Sequence, residues 1–219
     1  MISAIALVSL FALAGNTLAA PVPFTQEPFT DISQSHPYYD AIEYLRQNNI
    51  VRGYEDGSFK PDNRINRAEF VTMITNPFFL QGEKMHDCIA ENNMQEDEYI
   101  FFPDVRRGAW YEQEVCIAKV KDLVNGYLDG TFKPGRPIIF AEAAKIVSNT
   151  FVLNVREEGE IWYEPYVTEL GDRNAIPTSI RALNGLLTRG EMAEILFRLK
   201  TQNNDKASTN YANLQGKFE

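Results

Sequence analysis

The chain has 219 residues, is 44% hydrophobic and carries a net charge of −9, from 21 Lys and Arg against 30 Asp and Glu. This length and hydrophobic content suffice for one sizeable core or two small ones and exclude a disordered acidic tail. The acidic balance argues against nucleic acid or an anionic membrane as the partner, and two His and two Cys leave little room for a zinc site or a His-based triad.

An uncharged, apolar segment opens the chain. Residues 1–26 carry no charged side chain, and residues 2–13 are mostly aliphatic. The small residues up to Ala19 suit a signal peptidase, so we expect a secretory signal peptide over 1–19 and a linker over 20–28. No Lys or Arg precedes the apolar run. A retained membrane anchor is the alternative, although the run is shorter than the roughly 20 residues of a membrane span.

An internal repeat with an offset of 73 residues organises the next part of the chain. The nonapeptide of residues 53–61, GYEDGSFKP, returns at 126–134 as GYLDGTFKP. A fixed spacing of this kind predicts tandem copies of one structural unit. The flanking segments repeat at the same offset, with 29–31 matching 102–104 and 66–69 matching 139–142.

A third, eroded copy follows the second. Thr188-Arg189-Gly190-Glu191 resembles Asn66-Arg67-Ala68-Glu69, and Trp162-Tyr163 resembles Trp110-Tyr111. The nonapeptide is absent from this copy. The offset from the second copy to the third is 49 residues, so the first offset contains an insertion of about 24 residues. We place the copies at 29–76, 102–151 and 152–200, the insertion at 77–101 and a polar tail at 201–219.

Each copy has the pattern of a helix, a loop and a second helix. A helical hairpin cannot bury its apolar stripe alone, so we expect the copies to pack together, whereas the polar tail is expected to fray or to act as a short linker. In the first helix of the second copy, the spacing predicts an apolar face of Cys116, Val120, Leu123 and Val124. The second helix repeats an i, i+3, i+4 stripe, formed by Phe70, Met73 and Ile74, by Ala143, Ile146 and Val147, and by Met192, Ile195 and Leu196.

The loop and the start of the second helix combine turn and capping signals. Asp-Gly in the nonapeptide marks a turn in which Gly takes a positive φ, and Phe59 and Phe132 are expected to return to the core. An EF-hand calcium loop is rejected, because Tyr127 would fall on a ligand position. Residues 66–69 and 188–191 both have the pattern of a capping box.

An arginine follows the cap residue in both boxes. Arg67 and Arg189 lie against the positive end of the helix dipole, where capping does not require them. A cation beside free helix-start amides makes an anion site, and the alternative is a surface Arg paired with a carboxylate. The second copy has Phe140 at this position and lacks a capping residue. Trp110 and Trp162, at the start of first helices, are either core residues or platforms for a sugar ring.

Both cysteines, Cys88 and Cys116, lie in the part that would be exported. An even number of cysteines in an oxidising compartment favours a disulfide, and two unrelated buried thiols are the alternative. The disulfide would close a loop of 28 residues and stabilise the fold by roughly 3 kcal/mol.

The motifs F-x-D, W, G-Y-x-D-G-x-F-x-P and T-R-x-E in three tandem copies resemble the S-layer homology domain family, over residues 29–200. The resemblance implies a mostly α-helical fold in which three copies form one pseudo-threefold spindle. It also implies a secreted, cofactor-free module of the cell wall or cell surface that binds secondary cell-wall polysaccharide, often pyruvylated, or peptidoglycan-linked glycan. In that family the arginine of the T-R-A-E motif lies in a groove between copies and meets the anionic sugar.

Carried over position by position, the resemblance assigns the glycan contacts to a small set of residues. Phe140 breaks the pattern, so at most two of three grooves keep the arginine, and Tyr38 would have to supply the platform in the first copy. One alternative is an envelope protein that has lost the sugar site and binds itself or another envelope protein. An enzyme is the other alternative, and no nucleophile motif or metal-ligand spacing supports it. The assigned residues are Arg67, Glu69, Arg189, Glu191, Asp31, Asp104, Trp110 and Trp162.

Overall fold

The computed structural model describes residues 27–79, 87–156, 159–202 and 205–216, so the predicted signal peptide lies outside the described residues. Within these ranges the protein has eight helices, and its β-structure is limited to isolated bridges. None of these helices is both long and apolar enough to cross a membrane. The helices are α1 (Tyr39–Gln47), α2 (Arg67–Phe79), α3 (Cys88–Glu91), α4 (Glu112–Val120), α5 (Phe140–Thr150), α6 (Glu164–Asp172), α7 (Arg189–Thr201) and α8 (Tyr211–Leu214).

Three helix-loop-helix units close into a ring. They are the pairs α1 and α2, α4 and α5, and α6 and α7. Each second helix packs on the first helix of the next unit, in the contacts α2 with α4, α5 with α6, and α7 with α1. This cyclic arrangement confirms the predicted mostly helical, pseudo-threefold fold.

A cycle of three backbone hydrogen bonds marks the centre of the ring. Ile65 N donates to Leu187 O at 2.9 Å, Leu187 N donates to Ile138 O at 3.1 Å, and Ile138 N donates to Ile65 O at 3.1 Å. The three side chains are completely or almost completely buried. Since each residue directly precedes the cap of a second helix, this cycle fixes the relative positions of the three helix starts.

The second helices begin and pack as their sequences predict. Glu69 N donates to Asn66 Oδ1 at 2.9 Å while Asn66 N donates to Glu69 Oε2 at 3.0 Å, and Thr188 and Glu191 form the same capping box at α7. By contrast, α5 has Ile139 at its cap position and no side-chain cap. All nine residues of the predicted stripes are buried.

The apolar face predicted for the first helix of the second unit is wrong in its second half. The prediction required a helix through residue 124, but α4 ends at Val120, where the side chain is 48% exposed. Asp122 adopts a positive φ of 55° and turns the chain. Leu123 and Val124 are still buried, because the turn after the helix directs them inward.

A disulfide joins the insertion to the first helix of the second unit. Cys88 at the start of α3 and Cys116 in α4 are bonded, as predicted, with a Cα–Cα distance of 6.0 Å. The insertion also buries Ile89 and Ile100 completely. It therefore extends the core beside α4 and is more than a surface loop.

The described part of the C-terminal tail is docked, so the expectation of a frayed end is wrong for these residues. Thr209 N donates to Ile176 O at 3.0 Å, and α8 packs on α6 with Leu214 buried. Arg198 Nη1 donates to Ala207 O at 3.1 Å. A polar composition does not predict fraying here, because the polar groups find partners and Leu214 reaches the core.

Candidate functional site

Two equivalent contacts occur where a second helix begins beside the nonapeptide loop of a neighbouring unit. We call groove A the cavity of about 230 Å³ whose lining includes Arg67, Tyr127, Glu142, Lys145 and Trp162. We call groove B the set of residues that correspond to these in the repeat, namely Arg189, Tyr54, Glu69, Thr72 and Trp110.

In groove A, Arg67 joins the first unit to the second. Its Nε donates to Phe132 O at 2.8 Å, and its guanidinium lies 4.7 Å from the Tyr127 ring centre and 4.9 Å from that of Phe132. The residue is only 5% exposed. Desolvation lowers the pKa of Arg67, but a guanidinium stays charged in proteins. Arg67 is therefore a buried connection between units as well as a cation at the groove.

Groove B repeats this arrangement between the third unit and the first. Arg189 Nε donates to Phe59 O at 2.8 Å, and the guanidinium lies 4.7 Å from the ring centres of both Tyr54 and Phe59. Arg189 is also 5% exposed. Phe59 and Phe132 are fully buried, as predicted.

The helix-start amides are occupied, which corrects the prediction of an anion site at free amides. Arg67 N donates to Arg136 O and Ala68 N donates to Pro134 O, both at 3.0 Å. Arg189 N donates to Asn63 O at 2.9 Å in the corresponding way. Because these donors already serve the contact between units, a ligand must be recognised by side chains.

A tyrosine and a glutamate face each other in both grooves. Tyr54 OH donates to Glu69 Oε1 at 2.7 Å, and Tyr127 OH donates to Glu142 Oε1 at 3.0 Å. Burial and the bond to Glu69 raise the pKa of Tyr54 to about 12, and burial raises the pKa of Tyr127. Both tyrosines are thus neutral donors at physiological pH.

The two glutamates differ in their second oxygen. Glu69 Oε2 is occupied by the cap amide of Asn66. Glu142 Oε2 is buried and accepts no hydrogen bond from the described residues, and it lies 3.7 Å from Arg67 Nη1. Groove A therefore keeps a carboxylate acceptor that groove B uses for its own helix cap.

The two aspartates assigned to glycan contact hold the nonapeptide loops. Asp31 accepts from Phe59 N and Lys60 N, both at 2.7 Å. Asp104 accepts from the corresponding amides of the second unit at 2.8 and 2.7 Å. Each carboxylate thus has both oxygens engaged by the loop, and a role of Asp31 or Asp104 in glycan contact stays a prediction.

The two tryptophans are exposed just before the starts of the first helices α4 and α6. Trp110 is 64% exposed and Trp162 is 51% exposed. Their rings stand edge-to-face on Tyr111 and Tyr163, at centroid distances of 5.2 and 5.4 Å. This exposure disfavours the core alternative and leaves ring surface available to a ligand.

The third interface, at the start of α5, has different residues at the positions that correspond to grooves A and B. Phe140 is fully buried at the position of the two arginines. Ser179 Oγ takes the place of the tyrosine and donates to Glu191 Oε1 at 2.7 Å. Tyr38 donates to Ser179 Oγ at 2.6 Å, so it is a half-buried contact within this interface, which does not fit the predicted platform. Glu194, which corresponds to Lys145, is fully buried and paired with Arg198 and Lys206.

Sequence reasoning missed three groove residues. Tyr54 and Tyr127 were visible only as part of the nonapeptide, and Lys145 only as a polar position in a helix. The available signal was positional: Tyr54 and Tyr127 both lie 15 residues before the glutamate of their copy, and Lys145 takes the position of Thr72 in the first copy.

Comparisons with known proteins agree with the arrangement of the first two units. The family model described as the S-layer homology domain matches residues 28–71 and 101–144. The third unit lies outside the matched segments, so its membership of this family stays a prediction.

Relatives with similar sequences are surface proteins. The chain is 30% identical, over 89% of its length, to 24% of a "Cell surface protein" of Thermoanaerobacter kivui. It is 27% identical, over 86% of its length, to 17% of the "Middle cell wall protein" of Brevibacillus brevis. It is 29% identical, over 56% of its length, to 25% of the "Cellulosome-anchoring protein" of Acetivibrio thermocellus. The chain spans a quarter or less of these relatives, and the matches support a location at the cell surface or cell wall.

Proposed function

We propose that the protein is a cell-envelope anchoring module that binds an acidic cell-wall polysaccharide non-covalently through grooves A and B. The observation that carries the proposal is the repeated combination of an exposed tryptophan with a buried arginine and a Tyr–Glu pair. The similarity to S-layer homology domains and to a relative named as anchoring a cellulosome supports it. The third unit, as an eroded copy, closes the ring.

The chemistry of the grooves suits a sugar chain. An exposed indole face stacks on the apolar face of a sugar ring, and a few placed polar groups fix its orientation. An arginine pairs with a carboxylate or phosphate substituent, and such charge-assisted bonds are stronger than neutral ones. Pyruvate ketals are one substituent of this kind.

The net charge of −9 makes local cations necessary. An acidic protein gains nothing from its overall field when it binds an acidic polymer. Attraction must come from a few cations held in place, and Arg67 and Arg189 are held by buried contacts in both grooves.

The two tryptophans offer the cleanest test. Replacing either arginine would also remove a contact between units, whereas Trp110 and Trp162 are exposed. We expect Trp110→Ala with Trp162→Ala to abolish sedimentation with purified host cell walls and to leave thermal unfolding unchanged. Leu128→Ala, a change at a fully exposed side chain outside both groove linings, is the control and should sediment like the wild type.

A second arm tests the charge of the polymer. Walls from which the acidic substituents have been removed chemically should bind the wild-type protein far more weakly. Wild-type binding that persists on such walls would show that the acidic groups are not recognised, and sedimentation of the double tryptophan variant would rule out the grooves as the binding site.

A second candidate function is an envelope interaction module without a sugar site. Phe140 favours it, because the third interface shows that the ring can close without the arginine. A folded wild-type protein that fails to bind host walls but self-associates in light scattering would support this candidate. Release of sugars from wall material would instead indicate an enzyme.

A further inference from the structure

Groove A has a larger local excess of positive charge than groove B. Lys145 lines groove A, where groove B has Thr72. Arg136 also belongs to groove A: its guanidinium lies 4.9 Å from the Tyr127 ring centre, and its Nη1 is 3.4 Å from Glu142 Oε1. The corresponding residue of groove B is the neutral Asn63.

Groove B has an additional arginine that a carboxylate offsets. Arg52 is exposed and stands where groove A has Asn125. The half-buried Glu114 of α4 stands where groove A has Tyr166 of α6, whose ring centre lies 5.3 Å from Lys145 Nζ.

The two charge sets can be compared directly. Among the described residues, groove A combines three cations with one carboxylate, and groove B combines two cations with two carboxylates. The nonapeptide loops each contribute one internal Lys–Asp pair, and the loop of groove B adds the carboxylate of Glu55 where that of groove A has Leu128, so the loops do not reverse this difference. The groove A set is Arg67, Arg136, Lys145 and Glu142, and the groove B set is Arg189, Arg52, Glu69 and Glu114.

Among the described residues, groove A also offers a carboxylate oxygen that accepts no hydrogen bond, whereas the buried group without a hydrogen bond in groove B is the neutral hydroxyl of Thr72. Glu142 Oε2 is buried and accepts no hydrogen bond from the described residues, although Arg67 Nη1 lies 3.7 Å away, whereas Glu69 Oε2 accepts from Asn66 N. A buried acceptor without a donor costs free energy, and a hydroxyl or amide N–H of a ligand would satisfy it. Groove A is therefore complementary to a sugar that carries both an anionic substituent and a neighbouring donor.

We propose that the grooves divide the polymer between them: groove A takes its negatively charged sugar residue, with Lys145 as the specificity-determining cation, and groove B takes an uncharged one. This inference rests on the proposed function and adds to it which kind of sugar residue each groove binds. The anionic substituent is a carboxylate or a phosphate, since Lys145 pairs with either.

The test uses substitutions at corresponding positions. Lys145→Thr gives groove A the residue of groove B, and we expect a tenfold to hundredfold weaker binding of purified host wall polysaccharide, in line with the loss of one charge-assisted contact. Thr72→Ala alters the matching position of groove B and should change the affinity by less than threefold. Lys121→Thr removes the same charge from an exposed position outside groove A and should also have a small effect.

Two further measurements identify what Lys145 recognises. On polysaccharide stripped of acidic substituents, Lys145→Thr and the wild type should bind equally. Glucuronic acid and glucose 6-phosphate, as competitors for the intact polymer, distinguish a carboxylate from a phosphate, and glucose should compete less well than at least one of them.

Several outcomes would overturn the inference. Wild-type affinity of Lys145→Thr for the intact polymer would do so, as would an equal loss of affinity for intact and stripped polymer or an equal effect of Lys121→Thr. In each of these cases the wild type still binds, so the proposed function survives. A wild type that binds no wall polysaccharide would instead refute the proposed function.

Discussion

The residue that follows the cap of each second helix is an arginine at two interfaces of the ring and a phenylalanine at the third. At two interfaces a buried arginine donates to a backbone carbonyl of the next unit and lies between two aromatic rings, as Arg67 does. At the third interface Phe140 is buried without a polar group to satisfy. The common task of this position is to join neighbouring units, which Phe140 performs without a ligand. In the described part of the chain, the arginine is combined with a Tyr–Glu pair at the other two interfaces, and an exposed tryptophan corresponds to each.

We expect the largest effect on the free energy of unfolding from truncating Phe140 at the third interface. Phe140 is fully buried, and truncating such a side chain removes its burial and leaves a cavity. We expect Phe140→Ala to lower the free energy of unfolding by about 3–5 kcal/mol, as measured by urea denaturation. It should leave wall binding intact as long as the protein is folded, because Phe140 lies outside the residue sets of grooves A and B.

The matched control lies on the surface. Leu128→Ala, at a fully exposed side chain, should change stability by less than about 0.5 kcal/mol. A loss below about 1 kcal/mol for Phe140→Ala would show that the ring collapses around the gap and that Phe140 does not hold this interface.

The internal repeat made much of this architecture predictable from the sequence. The exact ends of the helices could not be predicted in this way. The stripe of Phe70, Met73 and Ile74 recurs at fixed positions, and helical spacing alone predicts its burial. The exposure of Val120 depends on where α4 ends, and the positive φ of Asp122 decides that. No periodicity in the sequence encodes this turn.

The site shows the same division between local and long-range information. The capping box of Asn66 and Glu69 is local, so four residues sufficed to predict it. Asp31 accepts from the amides of Phe59 and Lys60, far along the chain. The sequence alone is equally consistent with a carboxylate that contacts a ligand and with one that holds a loop. Only the fold identifies the groups that it binds.

The next effect distinguishes the second unit from the other two. Among the described residues, only its first helix, α4, is bonded by a disulfide, which joins Cys116 to Cys88 of the insertion. We expect Cys88→Ala with Cys116→Ala to lower the free energy of unfolding by roughly 3 kcal/mol. A reductant should destabilise the wild type to a similar degree and leave the double variant unaffected. Equal stability of the reduced and oxidised wild type would contradict this expectation.

The smallest effect concerns pH and separates the two arginine interfaces from the third. In grooves A and B, a glutamate accepts a hydrogen bond from a tyrosine. In the third interface, the glutamate accepts from Ser179, whose hydroxyl does not titrate in this range. Burial and the bond to Glu69 raise the pKa of Tyr54 from 10.0 to about 12. The folded state therefore holds this proton more tightly than the unfolded state.

This difference sets the direction of the pH dependence. The contribution of Tyr54 is fully present below pH 10 and is lost as the pH rises towards 12. Tyr54→Phe should cost about 1 kcal/mol at neutral pH, through the lost hydrogen bond, and should make the alkaline decline in unfolding free energy shallower. Tyr99→Phe, at an exposed tyrosine outside the grooves, is the control and should follow the wild type. An equally steep decline for Tyr54→Phe would mean that the hydroxyl of Tyr54 does not couple proton release to folding, and that the Tyr–Glu pair contributes to the groove without supporting the ring.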